Sequence, residues 1–324
     1  MTNTDRRNAD DELLTIRDWL RYAVSAMTRA GVVYGHGTGN AVDEAAFIIL
    51  SVLDLPIDDD INPWLDCRLL RAEREAIGAI VSERIATRKP AAYLTKCAYI
   101  QGRKFYVDER VIVPRSFIGE LLAQDQLASI VPDASSIRRV LDMCTGSGCL
   151  AILAAEAFPN AEIHASDISQ DALAVAERNV RDYGLQERVR LFAADLFDGL
   201  PADPYDLIIS NPPYVAAAEV AAFPLEYQAE PQLAHLGGAD GLDIVRRILD
   251  SAADHLTADG SLLVEIGTGQ ERLETSFPNL PFFWLDTERS GGEVFGLSAS
   301  DLRHLAREPD SRDGERRHHH PVAD

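Results

Sequence analysis

Five short apolar runs, "IRRVLDMC", "AEIHASDI", "RVRLFAADLF", "YDLIISN" and "GSLLVEIG", succeed one another between Ile137 and Gly267, and helix-like segments separate them. No other feature of the chain narrows its fold as far. Strands that alternate with helices pair in parallel, and the crossover helices cover the sheet they connect. The expected fold class is therefore α/β: a Rossmann-like, mostly parallel sheet with helices on both faces. Near the end, "PFFWLDTERSGGEVFGLS" reads as two strands joined by a turn at Gly291-Gly292, an antiparallel edge pair.

Upstream the period is helical. Leu13, Leu14, Ile16, Trp19, Leu20, Ala23 and Met27 recur at helix spacing until Gly31 stops them. A loop, "VYGHGTGN", precedes a second helix over "AVDEAAFIILSVLDL", ended by Pro56. A third, between Cys67 and Lys89, places Leu70, Ile77, Ile80, Val81 and Ile85 on one face, and Pro90 ends it. "AYIQGRKFYVDERVIVP" then alternates about Gly102 as a strand pair. The expected organisation is a disordered start at 1–11, a helical substrate-recognition domain at 12–96, a β-hairpin linker at 97–113, the α/β domain at 114–306 and a disordered tail at 307–324.

Composition narrows the partners. At 324 residues, 46% hydrophobic and 26% charged, the chain is an ordinary globular protein with room for a sizeable core. It has no apolar run near the roughly 20 residues of a membrane span, and its charged start lacks a signal sequence, so a cytoplasmic protein is expected. Cys67, Cys97, Cys144 and Cys149 form no CxxC pair and have no zinc-type His partners, so free thiols and no metal are expected. A formal charge of −21 opposes nonspecific binding to nucleic acid. It favours encounter with a basic partner, such as an unassembled ribosomal protein, or serves solubility alone.

Chemistry enters at "VLDMCTGSGCLAI", a strand, a glycine turn and a helix start. Gly146 and Gly148 let the backbone approach a ligand closely, beyond the carboxyl ends of the strands, where parallel sheets bind ligands. Asp167, closing the next strand, can accept hydrogen bonds from ribose hydroxyls. Asp142 can orient the loop or a ligand's amino group. These residues also fit a nicotinamide dinucleotide fingerprint or a plain tight turn. Asp195, with Leu196 and Phe197 after it, can accept from an adenine amine while an apolar neighbour packs on the ring, or can cap the turn that follows. Adenine and ribose met by three successive strand ends suit S-adenosylmethionine, with S-adenosylhomocysteine as product.

The fourth strand ends in Asn211-Pro212-Pro213-Tyr214. A planar NH₂ nitrogen is a poor nucleophile, and methylating it requires orientation and stabilisation of the charge that develops. The Asn211 side-chain carbonyl and the Pro212 main-chain carbonyl can accept its two N–H bonds, and Tyr214 can stack on its face.

"DMCTGSG", Asp167, Asp195 and "NPPY", in this order, resemble the class I methyltransferases that act on planar amino groups. "VIVPRSFIGELL", "EYQAEPQLA…GGADGLDI" and the N-terminal helices look like the HemK-type glutamine N5-methyltransferases. "YGHGTGNAVDEA" and "DMCTGSGCLAI" are closest to the subgroup that methylates the third large-subunit ribosomal protein. The matching stretches run from about residue 12 to 300. The resemblance implies that Cys144, Thr145, Gly146, Gly148, Asp167 and Leu196 carry the cofactor, joined by Asp142, Asp195 and the adjacent Asn211. It implies that Asn211, Pro212 and Tyr214 are catalytic and, with Pro213, hold the glutamine amide. Arg115 either faces that amide or forms a structural salt bridge. Gly39, where the subgroup's loop is expected to carry an acid, and Phe117, where proline is expected after "PRS", depart from the pattern. Alternatives are methylation of peptide release factors at their GGQ motif, adenine N6-methylation of DNA, and a non-enzymatic role as an assembly chaperone.

Overall fold

The computed structural model describes residues 11–57, 59–124, 126–288 and 290–305. The tail 307–324 and all but Asp11 of the expected disordered start lie outside these residues.

Among the described residues, three long helices build the N-terminal core. Helix α1, Ile16–Arg29, begins with a capping box between Thr15 and Asp18, and Gly31 at φ 61° follows its end. Helix α2, Ala41–Val52, is capped by Asn40, which accepts from the amides of Val42 and Asp43. It stops four residues short of Pro56, where Asp54 turns left-handed. Helix α3 spans Arg71–Thr87. Trp19, Met27, Ile48, Ile49, Ile77 and Val81 form their shared core. Leu70, expected on the buried face, is 68% exposed. It precedes α3 in extended conformation, so the helical phase does not reach it. A short helix α4, Ala91–Thr95, leads into the hairpin of β1, Cys97–Ile100, and β2, Arg103–Tyr106. Gln101 and Gly102 both have positive φ, as a two-residue hairpin turn requires. The ladder ends at Tyr106 instead of continuing to Val113.

Helix α5, Phe117–Ala123, opens the second part. It is followed by β3 (Arg139–Met143), α6 (Cys149–Ala157), β4 (Glu162–Asp167), α7 (Gln170–Asp182), β5 (Val189–Ala193) and β6 (Tyr205–Ser210). A one-turn α8 (Ala217–Val220), α9 (Asp243–His255), β7 (Leu256–Glu265), α10 (Gln270–Ser276), β8 (Phe283–Leu285), β9 (Val294–Ser298) and α11 (Ala299–Leu305) complete the chain. The sheet order is β5-β4-β3-β6-β7-β9-β8, with β9 antiparallel to both its neighbours. Alternation along β3 and β6 sends Val140, Leu207 and Ile209 into a core with α5 and α6. It sends Leu141, Met143 and Ile208 into a second core with α9 and α11 on the other face. Strand order reverses between β3 and β6, and the crevice outside that switch point is where open α/β sheets bind ligands. Among the described residues no helix is long and apolar enough to cross a membrane.

Candidate active site

The glycine loop after β3 forms one wall of a cavity of about 300 Å³. Cys144 and Gly146 both have φ near 60°, which turns the chain sharply at the strand end. A Cβ on Gly146 would meet no atom within 4 Å, so the turn faces open space, and the residue lines the cavity. Gly148 serves a different purpose. Its Cβ would lie 3.1 Å from that of Ala176, so the missing side chain lets the start of α6 approach α7. Asp142 and Thr145 build the loop from behind. Thr145 donates its hydroxyl to Asp142 at 2.5 Å and its amide to the Ser166 carbonyl at 2.9 Å. Asp142 is fully buried, and burial pushes its carboxyl up to about 7.

Asp167 borders the same cavity. It accepts the Gly146 amide on one oxygen and the Ser169 amide on the other, both at 2.9 Å, and each oxygen retains a lone pair. Burial raises its pKa, with these amides opposing. Beyond β5, Asp195 and Asp198 exchange backbone hydrogen bonds, and Leu196 takes a left-handed conformation that places it on the cavity wall. One Asp195 oxygen lies 3.0 Å from the Arg247 guanidinium. Arg110, Val111 and Ile112 also line the cavity, so the segment after the hairpin is wall as well as connection.

The NPPY segment follows β6, whose last residue, Ser210, donates to the Met143 carbonyl at 2.8 Å. Asn211 and Pro213 line the cavity, whereas Pro212 is buried and Tyr214 stands outside it. The Asn211 Nδ2 donates to the Arg115 carbonyl at 3.2 Å and to Glu265 Oε1 at 3.1 Å. Because a carbonyl only accepts, the amide orientation is fixed, and Oδ1 points away from these partners. Among the described residues no donor occupies Asn211 Oδ1 or the Pro212 carbonyl. The Tyr214 ring lies against Gly267, where a Cβ would come within 2.8 Å of it. "GGADG" braces the segment's backbone. Val215 donates to the His235 carbonyl and Gly237 to that of Val215, both at 2.9 Å. Side chains at Gly237 or Gly241 would collide with the Pro213 or Tyr214 main chain.

Arg115 turns its guanidinium away, forking onto Glu230 with two contacts of 2.8 Å. The salt bridge, one of its two expected roles, is formed. Glu230 also accepts the Val113 amide at 2.8 Å and lies 3.0 Å from His235 Nε2 and 3.5 Å from His36 Nε2. Burial alone would raise its pKa; Arg115 and the two histidines hold it well below the carboxylate range. His36 belongs to the "YGHGTGN" loop and packs on Tyr227 with 4.2 Å between ring centroids and the planes tilted by 52°. The loop therefore docks on the "EYQAEP" segment beside the cavity.

Sequence reasoning missed Glu265 and Glu230. Glu265 carried the signal that marked Asp167 and Asp195, an acid closing an apolar strand. Glu230 lies within "EYQAEPQLA" but nothing local singled it out, because Val113, Arg115 and His36, which it joins, are more than 110 positions away.

A strand-switch crevice, a glycine turn with its acidic partner and an amide braced at the next strand end define a class I methyltransferase. A family model described as "Methyltransferase small domain" matches residues 123–226. Proteins named ribosomal protein uL3 glutamine methyltransferase are similar over nearly the whole chain. That of Bradyrhizobium diazoefficiens is 52% identical over 296 residues, 90% of this chain and 92% of its own. The Bordetella pertussis protein is 51% identical, covering 92% and 99% of the two chains. That of Neisseria meningitidis serogroup B is 53% identical, covering 91% and 96%. The chain belongs to the ribosomal protein uL3 glutamine methyltransferase family.

Proposed function

We propose that this methyltransferase moves a methyl group from S-adenosylmethionine to the side-chain amide nitrogen of a glutamine in ribosomal protein uL3. The relatives' names support the substrate. The observation that carries the chemistry is the Asn211 amide, whose NH₂ end is held by two protein acceptors while its carbonyl end meets no donor among the described residues.

The residues fit the cofactor. Gly146 leaves room for a ligand against its backbone, Asp167 has lone pairs for ribose hydroxyls, and Asp195 retains acceptor capacity for an adenine amine beside Leu196. S-adenosylmethionine supplies an electrophilic methyl group on a sulfonium. The protein's task is to orient a nitrogen whose lone pair is delocalised. Asn211 Oδ1 and the Pro212 carbonyl accept the two N–H bonds of the glutamine amide, and acceptance strengthens as positive charge develops on the nitrogen. The prolines fix φ and keep those carbonyls from turning into regular structure. Tyr214, seated on Gly267, supports the segment and bounds the amide's face.

Purified enzyme with methyl-labelled cofactor is expected to modify free uL3, leaving a single-methyl mass increment on one glutamine. Label appearing only on release factors would overturn the substrate, and label only on DNA would overturn the amide chemistry.

A further inference from the structure

Glu265 ends β7 directly beside Asn211, since Ser210 and Val264 are paired in the preceding register position. It is 2% exposed. Its Oε1 accepts from Asn211 Nδ2 at 3.1 Å. Its Oε2 accepts from the Ser116 hydroxyl at 2.6 Å and from the Phe117 and Ile118 amides at 2.9 and 3.5 Å. All four neighbours donate to it, so the pocket matches an ionised carboxylate; the one neighbour that could also accept, the Ser116 hydroxyl, already takes the Ile118 amide at 3.2 Å. The titratable groups around it are Glu293 before β9, Tyr214 after β6, and Arg115, whose guanidinium is turned to Glu230.

We propose that ionised Glu265 is a positioning residue that sets which end of the Asn211 amide faces the substrate, and that protonating Glu265 turns this amide round. The inference rests on the glutamine reading of the site. Three donors crowd Oε2, so a proton settles on Oε1 and makes it a donor toward Asn211. Asn211 then presents Oδ1 to Glu265, loses its bond to the Arg115 carbonyl, and sets its NH₂ group against the substrate's own N–H. Donor faces donor, and the nitrogen is no longer held. Burial, opposed by Ser116 and the two amides and reinforced by Glu293, pushes the Glu265 carboxyl up to about 7, which brings this change into an accessible pH range. The ionised form is the active one, so kcat falls as pH falls through that value.

Phe117 adds a handle. A proline there would delete one donor to Glu265 while suiting the first position of α5, and Ser116 before it already has the extended backbone that proline demands.

The test is the pH dependence of kcat at saturating substrates, with cofactor Kd measured alongside. Wild type is expected to lose activity about tenfold per pH unit below the limb. Glu265→Gln is expected to lower kcat by about 10²-fold, to remove the acid limb and to leave cofactor Kd unchanged. Ser116→Ala and Phe117→Pro each remove a donor to the carboxylate, so the limb should move to higher pH in both. Wild-type kcat in Glu265→Gln, or a limb that stays in place in both other variants, would overturn the inference. Glutamine methylation by wild type with an unmoved limb defeats this inference alone; absence of any glutamine methylation defeats the reading beneath it.

Discussion

Glu230 and Glu265 are the same residue type at similar burial, yet they titrate in opposite directions. Glu230 meets a guanidinium and two imidazoles, and its carboxyl is held well below the usual range despite its burial. The donors to Glu265 are all neutral and offset its burial in part, Glu293 adds to it, and the carboxyl is pushed up to about 7. Burial sets the penalty for ionisation, and the charge of the partners decides whether it is overcome. The two regions divide the labour accordingly. Glu230 joins the "YGHGTGN" loop, the Val113–Arg115 segment and the brace behind NPPY, while Glu265 orients the amide facing the substrate.

The largest expected difference is in stability. Glu230→Ala leaves Arg115 without its buried partner and should cost about 3–5 kcal/mol in denaturant unfolding. The sign is fixed by the shift. A depressed folded pKa contributes stability above the unfolded carboxylate value and loses it as pH falls, so the deficit of Glu230→Ala should shrink toward strong acid. Glu265 has a raised folded pKa, so its ionised form costs stability at neutral pH, and Glu265→Gln should hold its unfolding midpoint. Equal losses in the two variants would break the comparison. A smaller effect should fall on the cofactor. Asp167→Ala removes a charged acceptor from the cavity and should weaken S-adenosylmethionine binding about ten- to hundredfold in calorimetry, with little change in the Glu230 joint. Unaltered affinity would show that Asp167 only shapes the glycine turn through Gly146 and Ser169.

Periodicity made the sheet legible, because five apolar runs separated by helices have few ways to pack. The residues on the cavity, Gly146, Asp167, Asp195 and Asn211, were legible for the same reason: each sits at or just past the end of a strand and is a residue type unfit to extend it. Local pattern did not reveal what lies behind them. Gly146 and Gly148 look alike in sequence, but one faces open space and the other faces Ala176. Asp142 reads as orienting either the loop or a ligand, and only the structure shows its Oδ2 holding the loop through the Thr145 hydroxyl. Arg115, Glu230 and His36 meet across more than 190 positions of sequence, a separation no spacing rule spans. The departure at Phe117 acquires meaning only once its amide is seen on Glu265.

The central claim is that Asn211 grips the amide that receives the methyl group. Single-turnover methylation of uL3 by Asn211→Ala, with the cofactor already bound, tests it most directly. The rate should fall by about two orders of magnitude or more while cofactor Kd stays near that of the wild type. A wild-type rate in that variant would contradict the account.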